Sequence, residues 1–159
     1  MPMQHWLMKS EPDVYSIDDL KRDRKSAWEG VRNYQARNHL RAMKVGDLAF
    51  FHHSSATPPG IAGIARVSRE AYPDPSQFDP ESDYYDPKSK RDEPRWSLVE
   101  IEFVRKLDRL LAMDDLRAMP ELAKMALLQR GQRLSVQPVT PAEWRAICKR
   151  AGLSAESFA

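Results

Sequence analysis

The sequence predicts an α+β fold, a single small β-barrel with flanking helices. Its 159 residues suit one domain of ordinary size, and a hydrophobic fraction of 42% is enough to form a core. Short strand-like and helix-like segments follow one another along the chain. They do not alternate regularly, as they do in a parallel βαβ sheet, so a small mixed barrel is the expected architecture.

The first elements are a short strand over 5–8 and a short helix. Ser16 is followed by acidic residues in the first turn, which is typical of a helix start. We expect this helix to end at about Asp23.

The next elements are a second short strand or turn over 27–29 and a second helix. Asn33 is a good N-cap for that helix, which should run through Met43. The segment 48–51 is apolar at every position, which predicts a strand that is covered on both faces. A further strand is predicted over 61–72.

A long polar segment, 73–94, is rich in Pro, Asp and Lys and is predicted to be a loop. Loops of this length are uncommon, and they are usually functional or mobile. The segment 96–107 alternates apolar and polar residues, which indicates a strand with one face partly exposed to solvent.

The C-terminal part is predicted to contain helical pieces, one strand and a final helix. The helical pieces span 113–130 and are broken at Pro120, and the strand covers 134–138. Thr140 is the expected N-cap of the final helix, because Pro follows it directly and Glu stands three residues later.

Composition excludes several classes of protein. No apolar run approaches the roughly 18 residues of a membrane span, and the single cysteine, Cys148, excludes an internal disulfide. The net charge of +2 is mild and leaves room for a local basic face. We therefore expect a soluble, intracellular protein without a membrane partner.

The motifs of common enzyme classes are absent from the sequence. It contains no G-x-S-x-G, no P-loop and no G-x-G-x-x-G. His52 and His53 are neighbours on a predicted strand, so they point to opposite faces and are poorly placed to bind one metal. Ser54 and Ser55 beside them lack an orienting acid. The expectation is a protein that is not an enzyme and holds no metal or cofactor.

One stretch, WEGVRNYQARN at 28–38, combines a large ring, a glycine, two Arg and two Asn. Most of these side chains are poor core material. Together with WLMKSEP near the start, FFHHS, PGIAGIA and RLSVQPVT, in this order, the stretch resembles the EVE domain. The motif-bearing part covers about 4–151, and we interpret 1–159 as one such domain.

The resemblance implies a PUA-like fold, a small β-barrel with flanking helices that is grouped with the PUA, ASCH and YTH domains. EVE domains are thought to read modified bases, cytosine derivatives in DNA among them. It also suggests a base pocket at the barrel mouth, formed by strand ends and by the 28–38 stretch. Its candidate residues are Lys9, Ser10, Glu11, Trp28, Gly30, Arg32, Asn33, His53, Ser54, Ser135 and Gln137.

The candidates have different expected roles. Trp28 offers a face on which a base can stack, although core packing is an alternative for it. Glu11 can accept from the exocyclic amine of cytosine, and Arg32 and Asn33 can donate to base or phosphate oxygens. Asn33 can also simply cap its helix. Residues expected to contact phosphates and to border the same mouth are Arg37, Arg41, Lys88, Arg91 and Arg133.

The sequence therefore predicts a non-catalytic, monomeric module that binds DNA or RNA and reads a modified base, preferably in a single strand or flipped out of a duplex. We expect it in the cytoplasm of a bacterium or the nucleus of a eukaryote. Two alternatives stay open: an enzyme acting on a modified nucleotide, and an adaptor for a small molecule or partner protein.

Overall fold

In the computed structural model, which describes residues 3–156 and 158, the chain forms one mixed sheet of six strands with four α-helices. The strands and helices follow in the order β1 (His5–Ser10), α1 (Ile17–Asp23), β2 (Lys25–Ala27), α2 (Tyr34–Ala42), β3 (Leu48–His53), β4 (Gly60–Pro73), β5 (Ser97–Ala112), α3 (Met113–Arg117), β6 (Val136–Val139) and α4 (Pro141–Arg150). Three short 3-10 turns lie at Pro75–Phe78, Pro120–Leu122 and Ala126–Leu128. The predicted α+β class and single domain are confirmed.

The sheet is strongly curved. Its strand order is β2-β5-β4-β3-β1-β6, with β1 and β3 parallel and the other neighbours antiparallel. Trp28, just after β2, and Phe51 of β3 belong to strands three spacings apart, about 14 Å in a flat sheet. Their ring centroids are nevertheless only 5.5 Å apart. Bulges between β4 and β5 accompany this bend, as bulges increase the local twist of a sheet.

Apolar residues pack against both faces of the sheet. On the concave face, Trp6, Met8 and Phe51 pack with residues of α1 and α2. On the opposite face, Leu7 and Phe50 pack with residues of α3 and α4. Neighbouring strand residues thus enter different cores, and the prediction that 48–51 is covered on both faces is confirmed.

The predicted helix starts are confirmed in detail. Ser16 and Thr140 each form a capping box with the acidic residue three positions later, and Asn33 caps α2 by accepting from the backbone N–H of Ala36 at 3.0 Å. These starts depend on residues close together in sequence, which is why the sequence predicts them well.

Several strand boundaries differ from the prediction, and β1 and β3 each run two residues further than expected. The strand expected over 27–29 lies at Lys25–Ala27, and Trp28 continues with a single backbone hydrogen bond to Val99 (2.8 Å) before the chain turns away. The last strand starts two residues later than expected and ends at Val139. β5 continues past 107 to Ala112, because its far end pairs with the start of β4 at Gly60.

The long loop is held by buried polar side chains. Gln77, which is fully buried, donates from Nε2 to the carbonyl oxygens of Asp74 (2.6 Å) and Trp96 (2.8 Å). Its Oε1 accepts from the backbone N–H of Trp96 (3.0 Å) and from the hydroxyl of Ser89 (2.6 Å). The two ends of the loop are therefore fastened together, and its middle projects beside the segment that follows β2.

No helix in the part of the chain that the structure describes is long and apolar enough to cross a membrane.

Candidate functional site

Two cavities adjoin the predicted site residues, and the larger of the two lies between the end of β1, the segment after β2 and the long loop. We call it the first cavity, and its volume is about 580 Å³. Seven of the eleven residues predicted to form a base pocket line it: Lys9, Ser10, Glu11, Trp28, Gly30, Arg32 and Ser135. The fold thus brings together residues from three separate segments.

Four predicted pocket residues lie elsewhere. Asn33 caps α2, and His53 accepts from the backbone N–H of Ile17 at 3.1 Å, which fastens the start of α1. Ser54 lines the other cavity. Gln137 is only 1% exposed and donates to the carbonyl oxygen of Leu134. These four do not line the first cavity, and their contact with a base stays a prediction.

Trp28 belongs to both the core and the cavity. It is 9% exposed and packs edge-on against Phe51 within the concave core. What remains accessible of Trp28 contributes to the cavity wall, and its indole N–H donates to none of the described residues. The two interpretations of Trp28 are therefore compatible.

Gly30 and Tyr84 are in close contact at the cavity. Gly30 has φ of +87°, a conformation that favours glycine. A Cβ atom there would lie 2.6 Å from Cζ of Tyr84, so the Tyr84 ring rests directly on the Gly30 backbone. A residue of the long loop therefore covers the backbone at Gly30.

Arg32 fastens the loop to the site. Its Nε and Nη2 donate to the carbonyl oxygen of Tyr84 at 3.1 and 2.8 Å. Nη1 donates to Val31 O and Asp74 Oδ2, and Nη2 also donates to Ser76 Oγ. These five bonds use all five donors of a guanidinium. Arg32 therefore positions the wall of the cavity, and its donation to base or phosphate oxygens stays a prediction.

Asp74 is the buried partner of this arginine, and its carboxyl group is fully buried. Burial alone would raise the pKa of Asp74, but hydrogen bonds from Ser76, Gly30 and Arg32 outweigh it and hold the pKa below its ordinary value. A charged Asp74 thus connects the turn at Gly30 with the start of the long loop.

The polar groups available to a ligand are different ones. The Ser10 hydroxyl donates to the carbonyl oxygen of Tyr15 at 2.6 Å, so its lone pairs are free to accept. Glu11 and Glu29 are exposed carboxylates on the cavity, and Lys9 is half-buried. With Arg32 occupied as a positioning residue, the lining carries two cations and two carboxylates, which suits a polar base edge better than a phosphate.

Arg37 and Arg41 on α2 contact the end of the long loop. Arg37 donates to the carbonyl oxygen of Arg95 at 3.0 Å and lies over the Tyr34 ring, whereas Arg41 donates to Ser97 Oγ at 3.0 Å. Neither lines a cavity. Both side chains are directed toward the long loop, and their contact with phosphates stays a prediction.

The three other residues predicted to bind phosphates also lie outside the cavities: Lys88, Arg91 and Arg133. All three are exposed. Arg91 lies over the ring of Phe78 at 4.7 Å. Their contact with phosphates stays a prediction.

The second cavity, of about 390 Å³, lies on the other side of Lys9. His52, at 3% exposure, is part of its wall. Burial, with the positive charges of Lys9 and His53 nearby, lowers the pKa of His52 to about 4, so its imidazole is neutral at pH 7. Among residues 3–156 and 158, no group of three His, Cys, Asp or Glu side chains is placed to hold a metal ion.

Several cavity residues were not predicted from sequence, chief among them Tyr15, Glu29, Val31 and Tyr84. Val31 and Glu29 lie within the motif that carries the resemblance, and adjacency to Trp28 and Gly30 is the signal that points to them. Tyr84 lies 54 positions after Gly30 in an irregular loop, and no local pattern connects the two.

The chain is similar to known proteins in both sequence and fold. The EVE domain family model matches residues 4–150. Thymocyte nuclear protein 1 of Homo sapiens is 46% identical over an alignment of 159 residues. The alignment covers 88% of this chain and 70% of the human protein. A crystal structure of a protein from Pseudomonas putida superposes with a TM-score of 0.91 at 52% identity, covering 92% of this chain and 99% of that one. Human THYN1, crystallised in complex with 5-methylcytosine-containing DNA, superposes with a TM-score of 0.89 at 44% identity, covering 93% and 97%.

Proposed function

The chain belongs to the EVE domain family, and on that basis we propose that it is a non-catalytic module that binds nucleic acid and reads a modified cytosine in its first cavity. The observation that carries the proposal is the meeting of Ser10, Trp28 and Gly30 around one cavity, in a chain similar to a protein crystallised with 5-methylcytosine-containing DNA.

The size and lining of the first cavity suit a single base. Its volume of about 580 Å³ falls within the range of small-ligand sites, roughly 300 to 1,000 Å³. Trp28, Val31 and Ala27 supply apolar surface for a ring and its methyl group. The Ser10 hydroxyl and the Glu11 carboxylate can accept from the exocyclic amine of cytosine.

The hydrogen bonds of the cavity favour binding over catalysis. A nucleophilic serine needs a base within hydrogen-bond reach. The Ser10 hydroxyl donates to the carbonyl oxygen of Tyr15, and the Ser26 hydroxyl is directed to the carbonyl oxygen of Ala27 at 3.4 Å. Neither hydroxyl donates to a histidine or a carboxylate, so neither is activated.

The free energies of burying a methyl group and of extracting a base set the expected selectivity for the methylated strand. Burying one methyl group contributes about 0.8 kcal/mol, which is about fourfold in affinity. Extracting a base from a duplex costs a few kcal/mol, so a single strand should bind better than a duplex of the same sequence. We place the protein with its nucleic acid, in the bacterial cytoplasm or the eukaryotic nucleus, and expect it to act as a monomer.

The test is a binding titration by fluorescence anisotropy. Single-stranded oligonucleotides that differ only in one central residue, cytosine or 5-methylcytosine, are compared at the same stated salt concentration. We expect about fourfold tighter binding of the methylated strand. Equal binding of both strands would contradict base reading, absence of binding would favour the adaptor alternative, and recovery of a chemically altered base would favour the enzyme alternative.

A further inference from the structure

We propose that the second cavity is an anion subsite that holds a backbone phosphate of the same strand whose base enters the first cavity. This inference rests on the proposed function and extends it from the base to the backbone of the bound strand. It is supported by the charge of the lining, by the unpaired ammonium group of Lys9 and by the position of Lys9 between the two cavities.

The lining of the second cavity carries positive charge only. Lys9, Arg117 and Arg130 contribute to it, and it contains no carboxylate. Among the residues that the structure describes, their only ion pair joins Arg117 to Asp114 at 3.7 Å, and the Asp114 side chain is fully exposed. Exposed pairs of this kind are weak, so Arg117 remains available to a ligand. The first cavity, by contrast, includes Glu11 and Glu29.

Lys9 is a half-buried cation without a counter-charge. Its ammonium group forms no ion pair or hydrogen bond with the residues that the structure describes. Burial lowers the pKa of Lys9 below its ordinary value, as expected when a cation loses water without gaining an anion. Partly buried charges in folded proteins are normally paired, and an anionic ligand would provide the missing partner.

His52 provides a second unsatisfied group in the same cavity. It is 3% exposed, and Nδ1 has no hydrogen-bond partner among the described residues. Its other nitrogen, Nε2, lies 3.4 Å from the sulfur of Met113. The sulfur can only accept, so the hydrogen of the neutral imidazole lies on Nε2, and Nδ1 is a buried acceptor. His52 therefore does not donate to the phosphate and serves as a reporter in the wall of the cavity.

The two cavities adjoin at Lys9, which lines both. Ser10, the next residue, lines the first cavity, and its carbonyl oxygen accepts from the backbone N–H of Ser54, which lines the second, at 2.9 Å. A nucleotide whose base lies in the first cavity would therefore have its flanking phosphate close to Lys9. This continuity favours a phosphodiester over a free phosphate.

The experiment uses the full chain with Arg117→Gln and Arg130→Gln combined. The matched control combines Arg105→Gln and Arg109→Gln, two exposed β5 residues that line neither cavity. Affinity for the 5-methylcytosine strand is measured between about 50 and 200 mM salt. One lost phosphate contact should lower the log–log salt slope by about 0.7 in the cavity variant. The control should keep the wild-type slope, and every protein should keep the same preference for the methylated base.

Two further arms separate the possible outcomes. The nucleoside 5-methylcytidine, which has no phosphate, should bind the cavity variant as well as it binds wild type. Inorganic phosphate is titrated against the His52 ring resonances without nucleic acid. If the log–log salt slope is the same in the cavity variant and the control variant, the inference is overturned. If the His52 resonances nevertheless shift with inorganic phosphate, the second cavity is a site for free phosphate instead. If wild type distinguishes the two bases while the slopes stay equal, the proposed function stands and this inference fails alone. If wild type binds no strand, both fail.

Discussion

Replacing Gly30 by Ala should loosen the contact between the first cavity and the long loop. A non-glycine residue in the left-handed region costs about 1–2 kcal/mol, and Gly30 has φ of +87°. The new Cβ would also lie 2.6 Å from Cζ of Tyr84, so the ring must leave its place. Tyr84 would then lose its position beside the Arg32 guanidinium, 5.6 Å from the ring centroid, an interaction worth about 0.5–1 kcal/mol at exposed sites. We expect a total loss of about 1.5–3 kcal/mol.

Gly46 offers a matched control for the backbone strain. Its φ is +95°, and nothing lies within 4 Å of a Cβ placed there. Gly46→Ala should therefore cost only the strain of about 1–2 kcal/mol. The difference between the two substitutions, about 1 kcal/mol, isolates the contact with Tyr84.

Urea unfolding of a double-mutant cycle measures this contact. In a Tyr84→Ala background the ring is absent, so Gly30→Ala should cost no more than Gly46→Ala. In the wild-type background Gly30→Ala should also weaken binding of the methylated strand, since the cavity loses one wall. The reasoning is refuted if Gly30→Ala and Gly46→Ala are equally destabilising in the wild-type background, or if the extra cost persists without the Tyr84 ring.

Three further predictions concern Arg32, Trp28 and His52. Arg32→Gln should destabilise the fold by about 3 kcal/mol in urea unfolding, because Asp74 stays buried without its cation. A loss of stability below about 0.5 kcal/mol would mean that Arg32 is not a positioning residue. Trp28→Ala should cost about 3–5 kcal/mol of folding stability because it truncates a core side chain. Trp28→Phe should keep the fold and weaken binding of the methylated strand, because the indole N–H is lost. Unchanged affinity of the Phe variant would remove Trp28 from the site. Burial lowers the pKa of His52 from 6.5 to about 4, so its contribution to stability is full above pH 6.5 and is lost as the pH falls toward 4. Between these limits, stability should fall by about 3 kcal/mol more in wild type than in His52→Gln, and parallel stability curves would contradict the buried neutral imidazole.

The parts of the fold that the sequence predicts are those set by neighbouring residues. Ser16, Asn33 and Thr140 cap helices through partners three positions away. The all-apolar strand 48–51 shows from its composition alone that both faces are covered. The length of β5 could not be predicted in this way. It depends on irregular pairing with β4, which no local sequence pattern encodes.

The candidate site was predictable to the extent that its residues lie in compact motifs. Ser10, Trp28 and Gly30 line the first cavity as expected. The role of Arg32 was not predictable, because its partners Asp74 and Tyr84 lie 42 and 52 positions away and consume its donors. An arginine in a polar motif has the same appearance in sequence whether its donors face a ligand or the protein itself.

The most direct test of the central claim is the location of the methyl group of a bound base. A single strand with one ¹³C-methyl-labelled 5-methylcytosine is mixed with the protein, and isotope-filtered NOEs from that methyl to the protein are recorded. The account predicts NOEs to side chains of the first cavity, with Trp28 and Val31 foremost. A methyl group that gives NOEs only to residues outside the first cavity, in a complex that still forms, would contradict it.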